Sequence, residues 1–467
     1  MQKGIKNLTG KTIETVSGNK FVLGPIIGRG AQGVVYSEIS GNYLIKLYYP
    51  SGNADLDARL LEKLSFVKRV KKPKNFIEIK DLINAPYTGY VMERVIGHKS
   101  LNTYLIPPQD VPFSQWYNSG LGLRERLILG YLIAKAFHQL SKSNLSYCDI
   151  SGNNILIRID NKGVSVRMID IDNIYIAGNG QSFVMGTPRY IAPEVIKGKN
   201  CPDVFSDNYS LAVILFELLR VGHPYVSDEI ADGTPEQEDA AYAGEYDYVS
   251  DSNSSNMLPE SAVFTSRLSD LFRRCFCGGK TNRMLRPSAK EFEEALLDAS
   301  NKIIKCPSCG AWHYPRKENK TFLPCPWCGA KSIPKSMLNF YDKLYDNDTE
   351  VRSKNFTTYF LRGGKNLIKG LYVCNCGDGN SDEKISENVL TVVQTDDKCV
   401  VYNEFCQKGI VVKSHSDGTL TRLGERKDYV LSSGDEILFY LDNGQPFEFE
   451  VGKEKYKFIR IARFVEK

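Results

Sequence analysis

The chain has 467 residues, of which 60 are Lys or Arg and 55 are Asp or Glu, so its formal net charge is only +5. Hydrophobic residues make up 42% and charged residues 25%, which excludes global disorder, and the small net charge gives no argument for nucleic acid or an anionic membrane as a partner. The longest apolar stretch, 211–219, is too short to cross a membrane and no apolar signal sequence follows Met1, so we expect a cytoplasmic protein whose 12 Cys are reduced or bound to metal.

Residues 20–302 have the mixed strand and helix patterns of an α+β domain, after a polar lead-in over 1–19. Apolar residues in short runs predict strands, and apolar residues at helical spacing predict helices. In chain order we predict strands over 21–48 around a Gly-rich turn, a helix over 55–70, a strand at 90–92, a helix over 121–143, strands over 155–176, and helices over 206–220 and 266–302. The segment 226–262 is acidic and contains no Lys or Arg, so we expect it to be flexible and solvated.

The C-terminal part of the chain has a different organisation. Two Cys pairs lie within 303–335, and the polar segment 336–354 is predicted to be a connecting helix or linker. From 355 to 467, short β-type runs alternate with turns rich in Gly, Asp and Asn, which predicts an all-β sandwich.

The first candidate site is the Gly-rich stretch Gly28-Arg29-Gly30-Ala31-Gln32-Gly33. Glycines let backbone N–H groups approach phosphates closely. The same spacing fits dinucleotide sites, but those open a helix, whereas Val34 and Val35 favour a second strand. A phosphate-binding hairpin and a plain Gly-rich hairpin both remain open at this point.

Polar residues within or next to apolar strands form a second set of candidates. Lys46 lies inside an apolar strand, where a cation needs an anionic partner, and Glu62 of the next helix is the candidate carboxylate. Asp149 and Asn154 lie in a loop before an apolar strand, where a carboxylate can accept a hydroxyl proton and an amide can ligate a metal. Asp170 follows another apolar strand and offers Mg²⁺ the oxygen ligand that it prefers. A solvent-facing lysine and ordinary polar turns are the alternatives.

Three further segments complete a recognisable order of motifs. Thr187 precedes Ala192-Pro193-Glu194, and Asp207 and Arg286 follow. Together with the Gly-rich turn and the polar residues above, this order resembles the eukaryotic-like Ser/Thr protein kinase family in its bacterial style. The resemblance implies a bilobal fold over 20–302, with an N-lobe over 20–94 and a C-lobe over 95–302, that uses ATP and Mg²⁺ to phosphorylate a protein substrate.

The resemblance also implies a role for each matching residue. The ATP-binding residues would be Gly28, Gly30, Gly33 and Val35 of the Gly-rich loop, Lys46 paired with Glu62, the gatekeeper Met92, and the hinge from Glu93 to Val95. The catalytic residues would be the base Asp149 and the phosphate-binding Lys46, with Asn154 and Asp170 as Mg²⁺ ligands. The remaining positions would be Thr187 beside the catalytic Asp and the structural residues Glu194, Arg286 and Asp207.

The chain departs from the kinase pattern at three places. Tyr147-Cys148 replaces the usual His-Arg before the catalytic Asp, so we expect activity without activation-loop phosphorylation, since the arginine that would bind that phosphate is missing. Ser151 replaces a common lysine and removes a positive charge near the γ-phosphate. The metal motif reads Asp170-Ile171-Asp172, in which Asp172 is either a second ligand or a turn residue.

Two CxxC pairs separated by 15 residues predict a tetrahedral Zn²⁺ site in the segment 303–335. The ligands are Cys306, Cys309, Cys325 and Cys328. A Gly after each pair relieves the backbone at the tight turn. The segment resembles zinc ribbons, which implies a closed structural site that needs no His313 and a module whose folding depends on the metal. Free thiols or a redox dithiol are the alternatives, and the basic stretch 316–320 is too short to predict nucleic acid binding.

Residues 429–439 and 447–451 resemble the last strands of forkhead-associated (FHA) domains, which bind phosphothreonine through loop residues. Arg362 is the candidate phosphate-binding residue, but the expected Ser-x-x-His segment is missing at 386–389. Phosphopeptide binding and a docking or regulatory role therefore both remain open. Family analogy adds a phosphatase or a von Willebrand-type protein as partners. The other cysteines of this region are predicted to be buried free thiols: Cys374, Cys376, Cys399 and Cys406.

Two other functions also remain open. A pseudokinase scaffold would bind nucleotide without phosphoryl transfer, which Tyr147-Cys148 and Ser151 would permit. A small-molecule kinase would use the same fold on another acceptor. Thr187 and the segment 192–194 favour a protein substrate, because they shape a peptide-docking loop in the family.

Overall fold

The computed structural model describes residues 7–160, 163–176, 186–315, 322–373, 387–441, 445–452 and 454–467. The chain divides into two units, Met1–Leu121 with Ile128–Glu293 and Gly122–Leu127 with Glu294–Lys467. All the candidate kinase residues belong to the first unit, and both CxxC pairs belong to the second. Among the described helices, none combines the length and the apolar character that a membrane crossing needs.

The first unit begins with a six-stranded antiparallel sheet. Its strands are β1 (Thr12–Glu14), β2 (Lys20–Arg29), β3 (Gly33–Glu38), β4 (Tyr43–Tyr48), β5 (Ile79–Leu82) and β6 (Gly89–Glu93), in the order β1-β2-β3-β4-β6-β5. Helix α1 (Ala54–Arg69) lies between β4 and β5 in the chain. Leu8 and Ile13 are buried in the core of this sheet. The described part of the predicted lead-in therefore belongs to the fold, and its polar composition concealed a three-residue strand.

The rest of the first unit is mainly helical. After α1 the helices along the chain are α2 (Phe113–Gly120), α3 (Leu123–Lys142), α4 (Pro193–Ile196), α5 (Val204–Arg220), α6 (Asp228–Ala231), α7 (Pro235–Tyr242), α8 (Glu260–Val263), α9 (Ser266–Arg273), α10 (Gly279–Thr281) and α11 (Ala289–Asn301). The start of α3, up to Leu127, and α11 from Glu294 onward belong to the second unit. The predicted helices over 55–70, 121–143 and 206–220 are confirmed as α1, α3 and α5. Helix α5 is buried along almost its whole length, as its apolar sequence indicates.

Short strands between α3 and α4 carry the polar loops of the candidate site. They are β8 (Leu145–Ser146), β9 (Ile155–Asp160), β10 (Gly163–Met168) and β11 (Tyr175–Ile176). With β7 (Lys99–Ser100), which precedes α2, they pair as β10-β9-β7 and β11-β8. The loop between β8 and β9 holds Asp149 and Asn154, and Asp170 follows β10 directly. Antiparallel pairing of β9 with β10 brings the two ends that carry these residues together.

The acidic segment 226–262 folds into helices α6, α7 and α8 joined by hydrogen-bonded turns, so the prediction of a flexible segment is wrong. The carboxylate of Asp228 accepts a hydrogen bond from the backbone N–H of Ser255 at 2.7 Å. Arg220, which is fully buried in α5, donates to Asp251 at 2.8 Å. These two carboxylates are thus satisfied by a backbone group and by a cation from outside the segment, which composition could not reveal.

The second unit contains a short hairpin followed by an all-β region. The hairpin is β12 (Ile304–Lys305) with β13 (Trp312–His313). The following strands are β14 (Ser336–Asp346), β15 (Thr349–Leu361), β16 (Gly364–Lys369), β17 (Asn388–Gln394), β18 (Cys399–Tyr402), β19 (Ile410–Lys413), β20 (Leu420–Arg422), β21 (Asp428–Leu431), β22 (Glu436–Phe439), β23 (Phe447–Val451) and β24 (Glu454–Glu466). They form one sheet in the order β15-β14-β24-β22-β19-β20, with β23 also paired to β24, and a second sheet in the order β16-β17-β18-β21.

The prediction of a linker over 336–354 is wrong, because β14 pairs along its length with both β15 and β24. Met337, Leu338 and Phe340 of this strand are buried. The apolar residues of the segment are interleaved with polar ones, and that pattern belongs to a strand. The all-β region therefore begins at residue 336. Cys399 is buried as predicted, Cys406 is only half-buried, and Cys374 and Cys376 lie outside the described residues.

Candidate active site

The hairpin of β2 and β3 carries the three glycines of the Gly-rich loop: Gly28 near the end of β2, Gly30 in the turn and Gly33 at the start of β3. The chain continues into strand β3 and not into a helix, which excludes the dinucleotide alternative. A Cβ atom at Gly28 or Gly30 would meet no neighbour within 4 Å. One at Gly33 would lie 2.2 Å from the backbone oxygen of Leu47. The open space at the first two glycines lets a phosphate approach the backbone, while Gly33 permits close packing against β4.

Lys46 is a buried cation of strand β4. Its Nζ donates to Oδ1 of Asp170 at 2.5 Å and to Oδ2 of Asp172 at 2.9 Å. The Tyr48 hydroxyl donates to the same oxygen of Asp172. Burial alone would lower the pKa of Lys46, but the two carboxylates outweigh it and raise the pKa. The alternative of a solvent-facing lysine is therefore wrong.

Glu62 does not join Lys46. Its side chain is exposed, whereas Leu64 and Val67 form the buried face of α1. Residues two positions apart in an α-helix are separated by about 200° of rotation about the helix axis, so Glu62 and Leu64 lie on different sides of α1. The predicted ion pair is thus absent from the part of the chain that the structure describes, and the helix register explains why.

The two carboxylates that contact Lys46 differ in their surroundings. The side chain of Asp170 is 31% exposed and that of Asp172 is 3% exposed. Burial and the charge of Asp172 raise the pKa of Asp170 to about 6. Burial also acts to raise the pKa of Asp172, but the Lys46 charge and the Tyr48 hydroxyl outweigh it and hold the pKa at about 2. Asp170 is therefore the more accessible of the two carboxylates.

Asp149 lies in the loop between β8 and β9, with hydrogen-bond donors on both carboxylate oxygens. The Thr187 hydroxyl donates to Oδ1 at 3.0 Å, and Asn154 Nδ2 donates to Oδ2 at 3.1 Å. Burial raises the pKa of Asp149 in spite of these hydrogen bonds. A small cleft beside this carboxylate is lined by Asp149, Gly186 and Thr187, among others. The two hydrogen bonds thus fix the orientation of the carboxylate at the edge of this cleft.

Asp207 fixes the backbone of this loop from the buried helix α5. It accepts hydrogen bonds from the backbone N–H of Tyr147 at 2.6 Å and of Cys148 at 2.9 Å. Cys148 has φ 68°, a conformation that costs energy in a residue with a side chain, and Asp207 holds it there. The Tyr147 hydroxyl donates to the carbonyl of Ile169, which ties the loop to the segment that carries Asp170. The sequence reading missed this role of Tyr147, although its place beside Asp149 was visible.

Asn154 and Asp170 come together because the Ile169 N–H donates to the Asn154 carbonyl at 2.9 Å. The side-chain nitrogen of Asn154 is committed to Asp149, so its amide oxygen is the atom left to face a cation. Asp170 has φ 60°, which Asp tolerates better than most residues. Amide and carboxylate oxygens on partly exposed side chains are the ligands that Mg²⁺ prefers. The residues present therefore fit Mg²⁺.

The residues predicted around adenine lie on strands next to Lys46 or follow them. Val35 of β3 is the register partner of Lys46, and Met92 of β6 is the partner of Leu44 on the other side of β4. Glu93 is the exposed last residue of β6, and Val95 follows in the chain as it leaves the sheet. The antiparallel register thus places Val35, Lys46 and Met92 on one face of the sheet.

Glu194 and Arg286 form a bidentate ion pair. Nη1 and Nη2 of Arg286 each donate to one carboxylate oxygen at 2.7 Å. Burial alone would raise the pKa of Glu194, but the hydrogen bonds and charge of Arg286 lower it. Arg286 also donates to the backbone oxygens of Gly279 and Phe205, so it joins the 192–194 segment to two helical regions. These contacts join separate parts of the fold, so the role that they support for the pair is structural.

The four cysteines of the CxxC pairs converge in the second unit. The ligand atoms of Cys306, Cys309, Cys325 and Cys328 all lie within 4.8 Å of one another. Two of the Sγ–Sγ distances are 3.6 Å, close to the roughly 3.8 Å that Zn–S bonds of about 2.3 Å give in a tetrahedron. Gly310 and Gly329 have φ 75° and 72°, which confirms the predicted turn after each pair. His313 hydrogen-bonds Tyr314 and Ser332. Four thiol groups at this spacing fit Zn²⁺.

Arg362, the candidate phosphate-binding residue, has its guanidinium engaged within the second unit. Its Nη2 donates to the carbonyl of Ser300 at 2.6 Å. Its guanidinium carbon lies 5.0 Å from the ring centroid of Trp312, and that of Arg124 lies 5.5 Å from the same centroid. Burial lowers the pKa of Arg362. The side chain thus joins the end of α11 to the hairpin that carries the first Cys pair.

Comparison with known proteins agrees with this site. The family model described as "Protein kinase domain" matches residues 21–295. Myosin light chain kinase A of Dictyostelium discoideum is 28% identical over 214 residues, which are 44% of this chain and 68% of that protein. The serine/threonine-protein kinase dkf-2 of Caenorhabditis briggsae is 26% identical over 217 residues, 44% of this chain and 17% of that protein. The B1 kinase of Vaccinia virus (strain Copenhagen) is 26% identical over 159 residues, 32% of this chain and 51% of that protein.

Proposed function

This chain belongs to the protein kinase family, and we propose that it transfers the γ-phosphate of ATP to Ser and Thr hydroxyls of protein substrates. The observation that carries the proposal is the convergence of Lys46, Asp170, Asn154 and Asp149 within one set of hydrogen bonds and ion pairs. Phosphoryl transfer needs little covalent chemistry from the protein and depends on positioning and on charge stabilisation. In this proposal the four residues supply both the positioning and the charge stabilisation.

Each residue has a defined task in this proposal. Bound Mg²⁺ would neutralise charge on the phosphates, and Asn154 and Asp170 would hold it. Lys46 places a permanent positive charge at the crevice, where it would bind the α- and β-phosphates. The Asp149 carboxylate would accept a hydrogen bond from the hydroxyl group of the substrate. Hydrogen bonds from Thr187 and Asn154 fix the orientation of this carboxylate.

The pseudokinase alternative is not favoured, because the residues that hold phosphate, metal and acceptor are all present and close together. Other contacts also hold the catalytic loop in place of the usual His-Arg pair. Tyr147 reaches the carbonyl of Ile169, and Asp207 holds the loop backbone at Tyr147 and Cys148. The loop geometry is therefore maintained without the usual His-Arg pair.

The test is phosphoryl transfer from radiolabelled ATP by phosphatase-treated protein, with sites mapped by mass spectrometry. We expect autophosphorylation and transfer to general protein acceptors on Ser and Thr, without prior activation-loop phosphorylation. Asp170→Ala is the control for co-purified kinases, because it removes a Mg²⁺ ligand. No transfer by wild-type protein that still binds ATP would favour the scaffold. Transfer to small amine or alcohol acceptors but not to proteins would favour a small-molecule kinase.

We further propose that the Cys cluster is a structural zinc site of the zinc-ribbon type and that the all-β region has a docking or regulatory role. The four thiol groups leave no position for a substrate if all of them bind the metal. The two-sheet arrangement is compatible with an FHA-like domain. The contacts of Arg362 with Ser300 and Trp312 argue against phosphothreonine binding through that residue. Phosphatases and von Willebrand-type proteins stay as partners to be tested.

Arg362→Ala is expected to destabilise the second unit by about 1–3 kcal/mol, because it leaves the Ser300 carbonyl without its donor and removes the ring contact with Trp312. The measurement is thermal unfolding, beside fluorescence anisotropy with a phosphothreonine peptide library. Lys365→Ala, which removes an exposed ion pair to Glu404 in the same region, is the matched control. Phosphothreonine affinity in wild type that disappears in Arg362→Ala would contradict this assignment.

A further inference from the structure

We propose that Asp172 is a positioning residue that holds Lys46 in place for the phosphates of ATP. This carboxylate comes from the metal-binding segment and takes the task that the family pattern would give to Glu62 of α1. The inference rests on the proposed function, since it concerns the same nucleotide site. It also decides between the two roles left open for Asp172, a second metal ligand and a turn residue.

The contacts of Asp172 point to Lys46 as its target. Lys46 and Tyr48 are two residues apart on β4, so their side chains leave the strand on the same face. Both donate a hydrogen bond to Oδ2 of Asp172, and the distance from Lys46 Nζ to this oxygen is 2.9 Å. Asp172 therefore receives two donors from one strand, and the Tyr48 hydroxyl fixes the carboxylate against which Lys46 rests.

The accessibility of the two carboxylates separates their roles. Mg²⁺ usually keeps several waters when it is bound with substrate phosphates, so its protein ligand must reach solvent. Asp170 meets this condition with a side chain that is 31% exposed, and Asp172, at 3%, does not. Tyr90 of β6 is fully buried, and burial together with the charge of Asp172 raises its pKa. Asp172 is thus enclosed behind Lys46, whereas Asp170 faces outward.

Helix α1 offers no carboxylate for the same task. Its single Glu is Glu62, which is exposed. On its buried face, one turn before Leu64, the sequence has Leu60, which is half-buried. Asp57, nearer the start of the helix, accepts a hydrogen bond from the backbone N–H of Ser51. A lysine buried without a second anion would be costly, and Asp172 supplies that anion from within the catalytic segment.

The experiment is a double-mutant cycle on ATP affinity measured without divalent cations, by calorimetry in EDTA, with Lys46→Met, Asp172→Asn and the double variant. We expect each single change to weaken ATP binding by about tenfold or more, because Lys46→Met removes the phosphate-binding cation and Asp172→Asn removes the charge that holds this cation in place. The double variant is expected to bind no more weakly than Lys46→Met, since Asp172 acts through Lys46. Glu62→Gln is the comparison variant and is expected to bind ATP as wild type does.

Three results would overturn the inference. One is unchanged metal-free affinity in Asp172→Asn together with a raised Mg²⁺ requirement, which is the behaviour of a metal ligand. Another is additive losses in the double variant, and the third is a loss in Glu62→Gln that Asp172→Asn lacks. If Asp172→Asn does not fold, Tyr48→Phe replaces it: about threefold weaker metal-free binding supports the inference, and unchanged binding opposes it. The binding assay needs no phosphoryl transfer, so a failure of the proposed kinase activity would be seen separately.

Discussion

Replacing Asp149 by Asn is expected to lower the turnover number by about 10²–10⁴-fold while ATP affinity stays close to that of wild type. The carboxylate is held between the Thr187 hydroxyl and the Asn154 amide, beside the cleft that Gly186 also lines. An amide at this position keeps the size of the side chain but cannot accept a proton. The loss should therefore appear in turnover and not in nucleotide binding.

Steady-state kinetics with a Ser- or Thr-containing acceptor and separate ATP titrations measure the two quantities. Asp110→Asn is the matched control, because Asp110 is an exposed acidic residue of a loop in the same unit. Wild-type turnover in Asp149→Asn would contradict the assignment of the base. A parallel collapse of ATP affinity and thermal stability would show instead that Asp149 supports the fold of the loop.

Removal of metal from the Cys cluster is expected to unfold the segment 303–335. A segment of about 30 residues buries too little apolar surface to fold alone, and apparent binding free energies of structural Zn²⁺ in small modules are about 10–16 kcal/mol. The four Sγ atoms lie within 4.8 Å of one another, and two of the distances are 3.6 Å, so a single metal ion could link both Cys pairs and its removal would separate them. Trp312, which contacts Arg362 and Arg124, lies between the two Cys pairs, so its fluorescence should report the change.

Elemental analysis should find one Zn²⁺ per chain in wild type and less in Cys325→Ser. Chelation should shift the Trp emission and lower the thermal midpoint. Cys277→Ser is the control, since Cys277 is an exposed free cysteine outside the cluster. Full metal content in Cys325→Ser, or chelation that removes the metal without any change in emission or midpoint, would oppose a structural site.

The parts of the site that the sequence predicted are those in which residue type and spacing decide the geometry. The two CxxC pairs with their glycines define a cluster whatever surrounds them. The Asp149 to Asn154 spacing within one loop likewise brings the two side chains together, as the 3.1 Å hydrogen bond shows. In such cases few arrangements of the backbone satisfy the motif, so a linear pattern is informative.

The parts that the sequence did not predict depend on contacts across the fold. The partner of Lys46 is decided by the rotation of α1 and by how far residue 172 is enclosed, and neither can be read from the motif. The apolar residues of 336–354 are separated by polar ones, so the pattern predicts a linker, and only the pairing with β24 shows that 336–346 is an inner strand of a sheet. In the acidic segment, Arg220 from outside supplied the missing positive charge.

The source of the carboxylates around Lys46 has a consequence for control of this enzyme. Both belong to a stretch of three residues, 170–172, whose first residue is the proposed Mg²⁺ ligand. Neither ion pair of this lysine uses a side chain of α1, so an outward movement of that helix would remove neither partner directly. We therefore expect a regulator of this kinase to act on the stretch 170–172 or on the nucleotide crevice.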